Sequence, residues 1–290
     1  MRSSQSLRRE VPGGIEADLA HYWREGYAVV RGFFSPDEIS EIASATDQLY
    51  DEGLKHGRCF RHGNLFYNIA RNGSKPFVRM VQWPSYHQAM LNCVRLDSRY
   101  SELLDPLIGR DLKQIINQVH WKAPGSLGDF AWHQDSRSRR PQSAYRNLAT
   151  SYVQTGLAID PHGPDSGGMR FIPRSHLRGD LHMDCSKHSL GTAMTDKALE
   201  SIGFSEADAV DLVLEPGDLA LWSPYLVHGS GTNRSSHKRR FYINGYVRAG
   251  DCDRGEWTFR RGQPVPLGAE PALVHFEELR ERPGPHYVDD

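Results

Sequence analysis

Three residues, His133, Asp135 and His228, are of the types that bind transition metals. His133 and Asp135 are separated by one residue in the segment FAWHQD at 130–135. If this segment is a β-strand, both side chains project from the same face, about 7 Å apart along the chain. His228, which follows the apolar pair Leu226-Val227, offers a second imidazole. Two histidines and one carboxylate can occupy one face of an octahedral iron and leave the opposite face open for a chelating co-substrate and O₂.

A histidine and an aspartate two residues apart occur by chance in many proteins. The prediction of a metal site therefore depends largely on the residues that follow His228. Arg239 begins the alternating run RRFYINGYV. A strand that returns beside His228 would place this guanidinium near the metal, where it could hold a carboxylate by two parallel hydrogen bonds. Ser230 could donate its hydroxyl to the same carboxylate. The alternative for Arg239 is a surface charge within the basic run at 237–240.

Three segments together resemble the phytanoyl-CoA dioxygenase family, which includes ectoine hydroxylase and many bacterial natural-product hydroxylases. They are HQD at 133–135, DSGGMRFIPRSH at 165–176 and HGSGTNRSSHKRRFYINGY at 228–246. The resemblance covers roughly residues 112–247 in order and spacing. It implies an α+β, mainly β protein, with a double-stranded β-helix (jelly-roll, cupin-like) core and flanking N-terminal helices.

The same resemblance implies Fe(II) as cofactor and 2-oxoglutarate and O₂ as co-substrates. It makes His133, Asp135 and His228 the iron ligands, and Arg239 and Ser230 the ligands of the distal carboxylate of 2-oxoglutarate. Gln118 and Lys122 occupy positions where the family often makes further contacts to co-substrate or substrate. Related halogenases have Gly or Ala in place of this aspartate, so Asp135 favours hydroxylation over halogenation.

Composition agrees with a globular protein and excludes some partners. The chain has 290 residues, a formal net charge of −1 and 38% hydrophobic residues. This near-neutral balance argues against a protein that coats nucleic acid or an anionic membrane, and no segment reaches the roughly 18 apolar residues of a membrane span. The four cysteines are far apart, which favours reduced thiols and a cytoplasmic location. We expect a monomer or homodimer that binds a small-molecule substrate.

Helical patterns come first and short strands follow. Residues 1–14 are expected to form a flexible arm, and residues 15–290 a single domain with its jelly-roll core at about 112–250. Ser35, Pro36 and Glu38 form a helix start with a capping box. We predict helices at 15–25, from 36 onward and at 86–109, and strands at 27–34, 115–122, 130–135, 151–159, 169–172, 210–214, 219–222 and 239–247.

The polar segment at 136–146 carries four arginines directly after Asp135. We predict that one of them, with Arg137 and Arg146 as the candidates, contacts an anionic group of the substrate. A solvated loop without a ligand is the alternative. Trp222, on the strand before His228, either lines the substrate pocket or fills the barrel core.

The sequence therefore predicts a dioxygenase that hydroxylates an unactivated carbon of a small polar or anionic metabolite, amino-acid-like or a natural-product intermediate, and releases succinate and CO₂. A non-catalytic jelly-roll protein that binds a small molecule is the main alternative. A zinc hydrolase using the same three ligands is a third. Nucleic-acid demethylation is a weaker variant, since no dedicated binding motif supports it.

Overall fold

The computed structural model describes residues 14–125, 129–181, 183, 195–272 and 282–288. Its helices are α1 (Gly14–Glu25), α2 (Pro36–His56), α3 (Ala89–Arg95), α4 (Ser98–Ile108), α5 (Leu148–Ser151) and α6 (Asp196–Glu200). Its strands are β1 (Tyr27–Val30), β2 (Phe60–His62), β3 (Leu65–Asn72), β4 (Lys75–Gln82), β5 (Leu112–Lys122), β6 (Phe130–His133), β7 (Tyr152–Ala158), β8 (Met169–Phe171), β9 (Val210–Asp211), β10 (Leu219–Trp222), β11 (His228–Ser230), β12 (Arg239–Arg248), β13 (Glu256–Arg260), β14 (Gln263–Pro264) and β15 (His286–Tyr287).

Two antiparallel sheets form the core within the described residues. The major sheet has the strand order β1-β10-β7-β12-β5-β4-β3-β2-β15, with β13 and β14 attached beside β5, and the minor sheet has the order β6-β11-β8-β9. A mainly β core of two sheets with N-terminal helices confirms the predicted jelly-roll class. No described helix is long and apolar enough to cross a membrane.

The two faces of the major sheet pack against different partners because side chains alternate along each strand. On the outer face, α2 packs on β3 and β4, and α4 packs on β7, in a cluster that includes Ile42, Leu104 and Tyr242. On the inner face, Phe241 and Trp222 join Phe171 of the minor sheet in a second apolar cluster. Polar residues on the inner face of β5 and β12 therefore lie between the sheets, where they can reach a bound ligand.

The start of α2 is as predicted: Ser35 and Glu38 make the reciprocal hydrogen bonds of a capping box ahead of Pro36. The prediction of one continuous helix at 86–109 was wrong. It is divided into α3 and α4, because Asp97 accepts a hydrogen bond from the Arg99 backbone N–H and so caps a new helix. Of the predicted arm, only Gly14 lies in the described residues, and it begins α1.

Several strand limits differ from the prediction. The strand expected at 27–34 ends at Val30, and the one expected at 210–214 ends at Asp211. Strands β2, β3 and β4 were not predicted. Their signal is present in the sequence, since Asn72-Gly73 lies between two alternating runs, which is the pattern of a tight hairpin.

Candidate active site

The candidate metal ligands come from two neighbouring strands and one turn. His133 ends β6 and is the register partner of His228, which begins β11. The predicted strand at 130–135 is two residues too long, because Asp135 begins a 3-10 turn after an extended Gln134. His228 was expected at the end of a strand and lies at the start of one. One ligand atom from each of the three residues lies within 4.8 Å of the other two.

Hydrogen bonds orient these ligands for a metal. Nδ1 of His133 lies 2.7 Å from the Ala131 carbonyl oxygen, and Nδ1 of His228 lies 2.9 Å from that of Leu226. When Nδ1 carries the proton and donates it to a carbonyl, Nε2 is left with a free lone pair for a metal. Both imidazoles are thus set up to bind an ion through Nε2, and the ring centroids lie 4.2 Å apart.

The electrostatics of the three groups match their use as ligands. Burial lowers the pKa of His133 to about 4, helped by the adjacent His228. The imidazole is therefore neutral at pH 7, which is the form that binds metals. Burial alone would raise the pKa of Asp135, but His228, Arg139 and His133 outweigh it and hold this pKa below its ordinary value. The residues present thus fit a divalent iron.

Trp222 is buried and its indole Nε1 donates a 2.9 Å hydrogen bond to Oδ2 of Asp135. The sequence left it as either a pocket residue or a core residue. In the structure its ring packs among the apolar residues between the sheets and also lines the cavity next to the ligands. Its polar contact is with Asp135, so it orients a candidate metal ligand.

A pair of buried cations lies at one end of the cavity. Arg239 and Lys122 are register partners on β12 and β5. Arg239 Nη2 donates to the Gly167 carbonyl at 2.7 Å, and its buried Nε has no hydrogen-bond partner in the part of the chain described. Lys122 Nζ donates to Ser230 Oγ at 2.9 Å and to the carbonyl oxygens of Gly231 and Gly167 at 2.6 and 3.1 Å.

Neither Arg239 nor Lys122 forms an ion pair with a carboxylate among the described residues. Burial lowers the pKa of Arg239 to about 10 and, with the charge of Arg239, lowers that of Lys122 to about 6. A buried guanidinium and a buried amine, bonded to carbonyls and a hydroxyl, make an anion site that a carboxylate would complete, and a carboxylate there would favour protonation of Lys122. Ser230 lies within this arrangement, as the sequence predicts for a contact to a carboxylate.

The ligands and the cation pair open on one cavity of about 190 Å³. Gln118 lines it, with Oε1 3.1 Å from His120 Nε2. Sequence analysis missed four further polar residues of the lining, Arg79, His120, Ser138 and Gln154, and it did not single out Arg139 among the arginines of its loop. The alternation of β5 could have indicated His120, since it lies between Gln118 and Lys122 on the same face.

The two arginines named from the loop at 136–146 do not line this cavity. Arg137 donates to the carbonyl of Met183 through Nη1. Arg146 makes an exposed ion pair with Asp253, at 2.7 Å. The structure instead directs Arg139 of the same loop into the cavity. Neighbouring side chains along an irregular loop do not follow a simple alternation, which is why spacing could not select among them.

Comparisons with known proteins agree with this geometry. The family model described as phytanoyl-CoA dioxygenase (PhyH) matches residues 22–241. The chain belongs to this family, and it is a 2-oxoglutarate-dependent dioxygenase by class.

Among curated relatives, dioxygenase lolE1 of Epichloe uncinata is 24% identical over 87% of this chain and 86% of its own length. A probable alpha-ketoglutarate-dependent hypophosphite dioxygenase of Stutzerimonas stutzeri is 23% identical over 79% and 77%. A methylphosphonate hydroxylase of Gimesia maris is 29% identical over 78% and 77%.

Solved structures show the same fold. EctD from S. alaskensis, with 2-oxoglutarate and 5-hydroxyectoine, has a TM-score of 0.62 at 18% identity, covering 94% of this chain and 92% of that one. The epimerase SnoN, in complex with Fe³⁺, alpha ketoglutarate and nogalamycin RO, has a TM-score of 0.60 at 20% identity, covering 90% and 99%.

Proposed function

We propose that this protein uses Fe(II), 2-oxoglutarate and O₂ to hydroxylate an unactivated carbon of a small anionic metabolite. One observation carries the proposal. The two histidines and the aspartate that could hold iron lie on the wall of a cavity that also contains the buried side chains of Arg239 and Lys122. Neither of these forms an ion pair with a carboxylate among the described residues. Such a cavity has a place for a metal and a place for the dicarboxylate that would chelate it.

In this proposal His133, Asp135 and His228 hold the iron. Arg239, Lys122 and Ser230 bind the distal carboxylate of 2-oxoglutarate. The bound iron, 2-oxoglutarate and O₂ supply the oxidising chemistry, with succinate and CO₂ as products. The chain contributes the position of the bound groups and the charges around them. The hydrogen bonds to the two Nδ1 atoms and to Asp135 keep the three ligand side chains in place.

Two observations support a small anionic substrate. The cavity volume of about 190 Å³ is below the roughly 300–1,000 Å³ of most ligand pockets. Hypophosphite and methylphosphonate, which name two of the relatives, are small oxyanions. We further propose a cytoplasmic location and a monomer or homodimer. Free thiols at Cys59, Cys93 and Cys252 support the reducing compartment.

The test is to load the protein with Fe(II) without oxygen, add 2-oxoglutarate and a panel of small organic anions, and then admit O₂. Mass spectrometry follows succinate and the gain of one oxygen atom by each panel member. We expect succinate and an oxygenated product in a one-to-one ratio with at least one anion, and neither product with His228→Ala. Wild-type protein that binds iron and 2-oxoglutarate but forms no succinate with any panel member would contradict the proposal.

A further inference from the structure

Arg139 is a buried cation, and its role at the candidate metal centre alone does not explain its position. Its side chain is 6% exposed, and Nη2 lies 3.8 Å from Oδ1 of Asp135, which is too far for a hydrogen bond. The buried Nε has no hydrogen-bond partner among the described residues. The ring of Tyr152 packs against the guanidinium, with its centroid 5.1 Å from Cζ of Arg139. Asp135, the carboxylate nearest to Arg139, is also a candidate iron ligand, so Arg139 would share its counter-ion with the metal.

Arg139 and Arg239 approach the cavity from different parts of the major sheet. Tyr152, whose ring packs against Arg139, donates its hydroxyl to Gln154, and Gln154 lines the same cavity. Gln154 is the register partner of Gly245 on β12. Gly245 is six residues from Arg239, or about 20 Å along the strand. A single 2-oxoglutarate held by Arg239 therefore leaves Arg139 free for another anion.

The other arginines of this loop have partners away from the cavity. Arg137 donates to the Met183 carbonyl. Arg140 is exposed and its Nη1 donates to the backbone oxygen of Arg139 at 3.2 Å. Arg146 is paired with Asp253. Of the four arginines at 136–146, Arg139 is the one whose guanidinium lines the cavity.

The net positive charge of the residues that line the cavity also favours binding of an anion. Its described lining residues include three arginines, Arg79, Arg139 and Arg239, and one carboxylate, that of Asp135. Bound Fe(II) and the dianion of 2-oxoglutarate would add no net charge. An excess of positive charge therefore remains in the cavity lining, even with Lys122 neutral, and favours a negatively charged substrate.

We propose that Arg139 binds the anionic head group of the substrate through the guanidinium, so that the cavity selects organic oxyanions: carboxylates, phosphonates or sulfonates. A guanidinium presents two parallel N–H groups that match two oxygens of such a head group. Bound this way, the substrate lies beside Asp135 with its carbon skeleton towards the metal ligands. This inference rests on the proposed function, because it assigns the second anion of the cavity to that reaction's substrate.

The experiment measures binding rather than turnover. Protein loaded with Fe(II) and 2-oxoglutarate is titrated without oxygen, by calorimetry, with methylphosphonate, methanesulfonate or acetate, and with neutral acetamide as comparison. We expect binding of at least one of the three anions and none of acetamide. Arg139→Gln should weaken that binding about 10- to 100-fold, as loss of a charge-assisted contact does. Arg139→Lys should retain part of it, and Arg140→Gln, which removes an exposed neighbouring charge, should retain all of it.

A purely structural role would give a different pattern. If Arg139→Gln loses Fe(II) or 2-oxoglutarate affinity as strongly as anion affinity, Arg139 acts by holding Asp135 and the inference is wrong. It is also wrong if wild-type protein binds none of the three anions at millimolar concentration, or binds acetamide equally well. Failure of the proposed function is separate, since it would appear as absent succinate in protein whose anion binding still depends on Arg139.

Discussion

The indole of Trp222 and the carboxylate of Asp135 are joined by a 2.9 Å hydrogen bond between Nε1 and Oδ2, across 87 residues of sequence. Oδ2 also lies 3.7 Å from Nε2 of His228. The indole thus determines which way the carboxylate faces, and it does so from β10 of the major sheet while the two histidines belong to the minor sheet. Both sheets are needed to assemble the candidate metal centre.

Replacing Trp222 should weaken metal binding. Trp222→Phe keeps an apolar ring but removes the donor to Asp135, and loss of such an outer hydrogen bond typically lowers metal affinity about 10- to 100-fold. Anaerobic titration with Fe(II) or Co(II) measures the effect. The matched control is Trp132→Phe, since Trp132 is equally buried and its Nε1 has no hydrogen-bond partner among the described residues. Equal losses of affinity in both variants would show that packing, and not the hydrogen bond, matters.

Binding of 2-oxoglutarate should take up a proton at Lys122. In the free protein the pKa of Lys122 is lowered to about 6, so its amine is neutral at pH 8. A carboxylate arriving beside it favours the charged form and raises the pKa. Affinity should therefore fall as pH rises above about 6, by at most tenfold per pH unit. His120 and His162 also lie close to Lys122 and Arg239, and burial keeps the pKa of each well below this range.

Calorimetry of 2-oxoglutarate binding at pH 8, in two buffers of different ionisation enthalpy, counts the protons taken up. We expect a value approaching one for wild-type protein and near zero for Lys122→Gln. The pH dependence of affinity should flatten in the same variant. Proton uptake that persists in Lys122→Gln would assign the titration to another group.

The sequence was sufficient for features that depend on local pattern. The alternation of β12 correctly placed Arg239 at the start of a strand, and the limits of β10 are those predicted. The strand β5 was also found, although it begins three residues earlier than expected, at Leu112. These elements follow from hydrophobic periodicity and turn residues, which act within a few residues of each other.

Contacts between distant segments could not be predicted in the same way. The pairing of Arg239 with Lys122 depends on the register of β12 against β5, and the bond from Trp222 to Asp135 depends on how two sheets face each other. Selection of Arg139 over its neighbours depends on a 3-10 turn at Asp135 that a strand pattern does not reveal. Register and sheet packing are set by tertiary burial, for which a single sequence carries weak signals.

The capping box of α2 should contribute stability that disappears in acid. Glu38 accepts hydrogen bonds from Arg99 and from the Ser35 backbone, and these lower its pKa from 4.5 to about 2. A carboxylate whose pKa is lower in the folded state stabilises the fold above its unfolded pKa, and this contribution is lost as pH falls from about 4.5 towards 2. Glu38→Gln keeps a capping-box acceptor but removes the charge that Arg99 contacts. It should therefore lower the free energy of unfolding at pH 7 by about 0.5 kcal/mol, as loss of a partly exposed ion pair does.

Urea unfolding at pH 7 and at pH 3 measures both effects. The difference between wild type and Glu38→Gln should shrink at the lower pH. Glu41→Gln, in the exposed next turn of α2, serves as control and should change the unfolding free energy little at either pH. A Glu38→Gln effect that is the same at both values of pH would indicate that charge on Glu38 does not contribute.

Gly167 should be required for 2-oxoglutarate binding although it offers no side chain to the ligand. Its carbonyl accepts hydrogen bonds from both Arg239 and Lys122, and its φ of +65° favours glycine. A Cβ at this position would lie 2.6 Å from the Gly231 oxygen and 2.9 Å from Cδ of Lys122. Gly167→Ala should therefore displace the cation pair and weaken 2-oxoglutarate binding about tenfold or more, the effect of losing about one charged hydrogen bond.

The metal ligands come from β6, β11 and the turn at Asp135, so iron affinity should change little in Gly167→Ala. The matched control is Gly163→Ala in the same loop, because a Cβ on Gly163 would meet nothing within 4 Å. Anaerobic titrations of Fe(II) and of 2-oxoglutarate on all three proteins separate the two affinities. If the two variants bind 2-oxoglutarate equally well, the close packing of Gly167 against Lys122 does not shape the anion site.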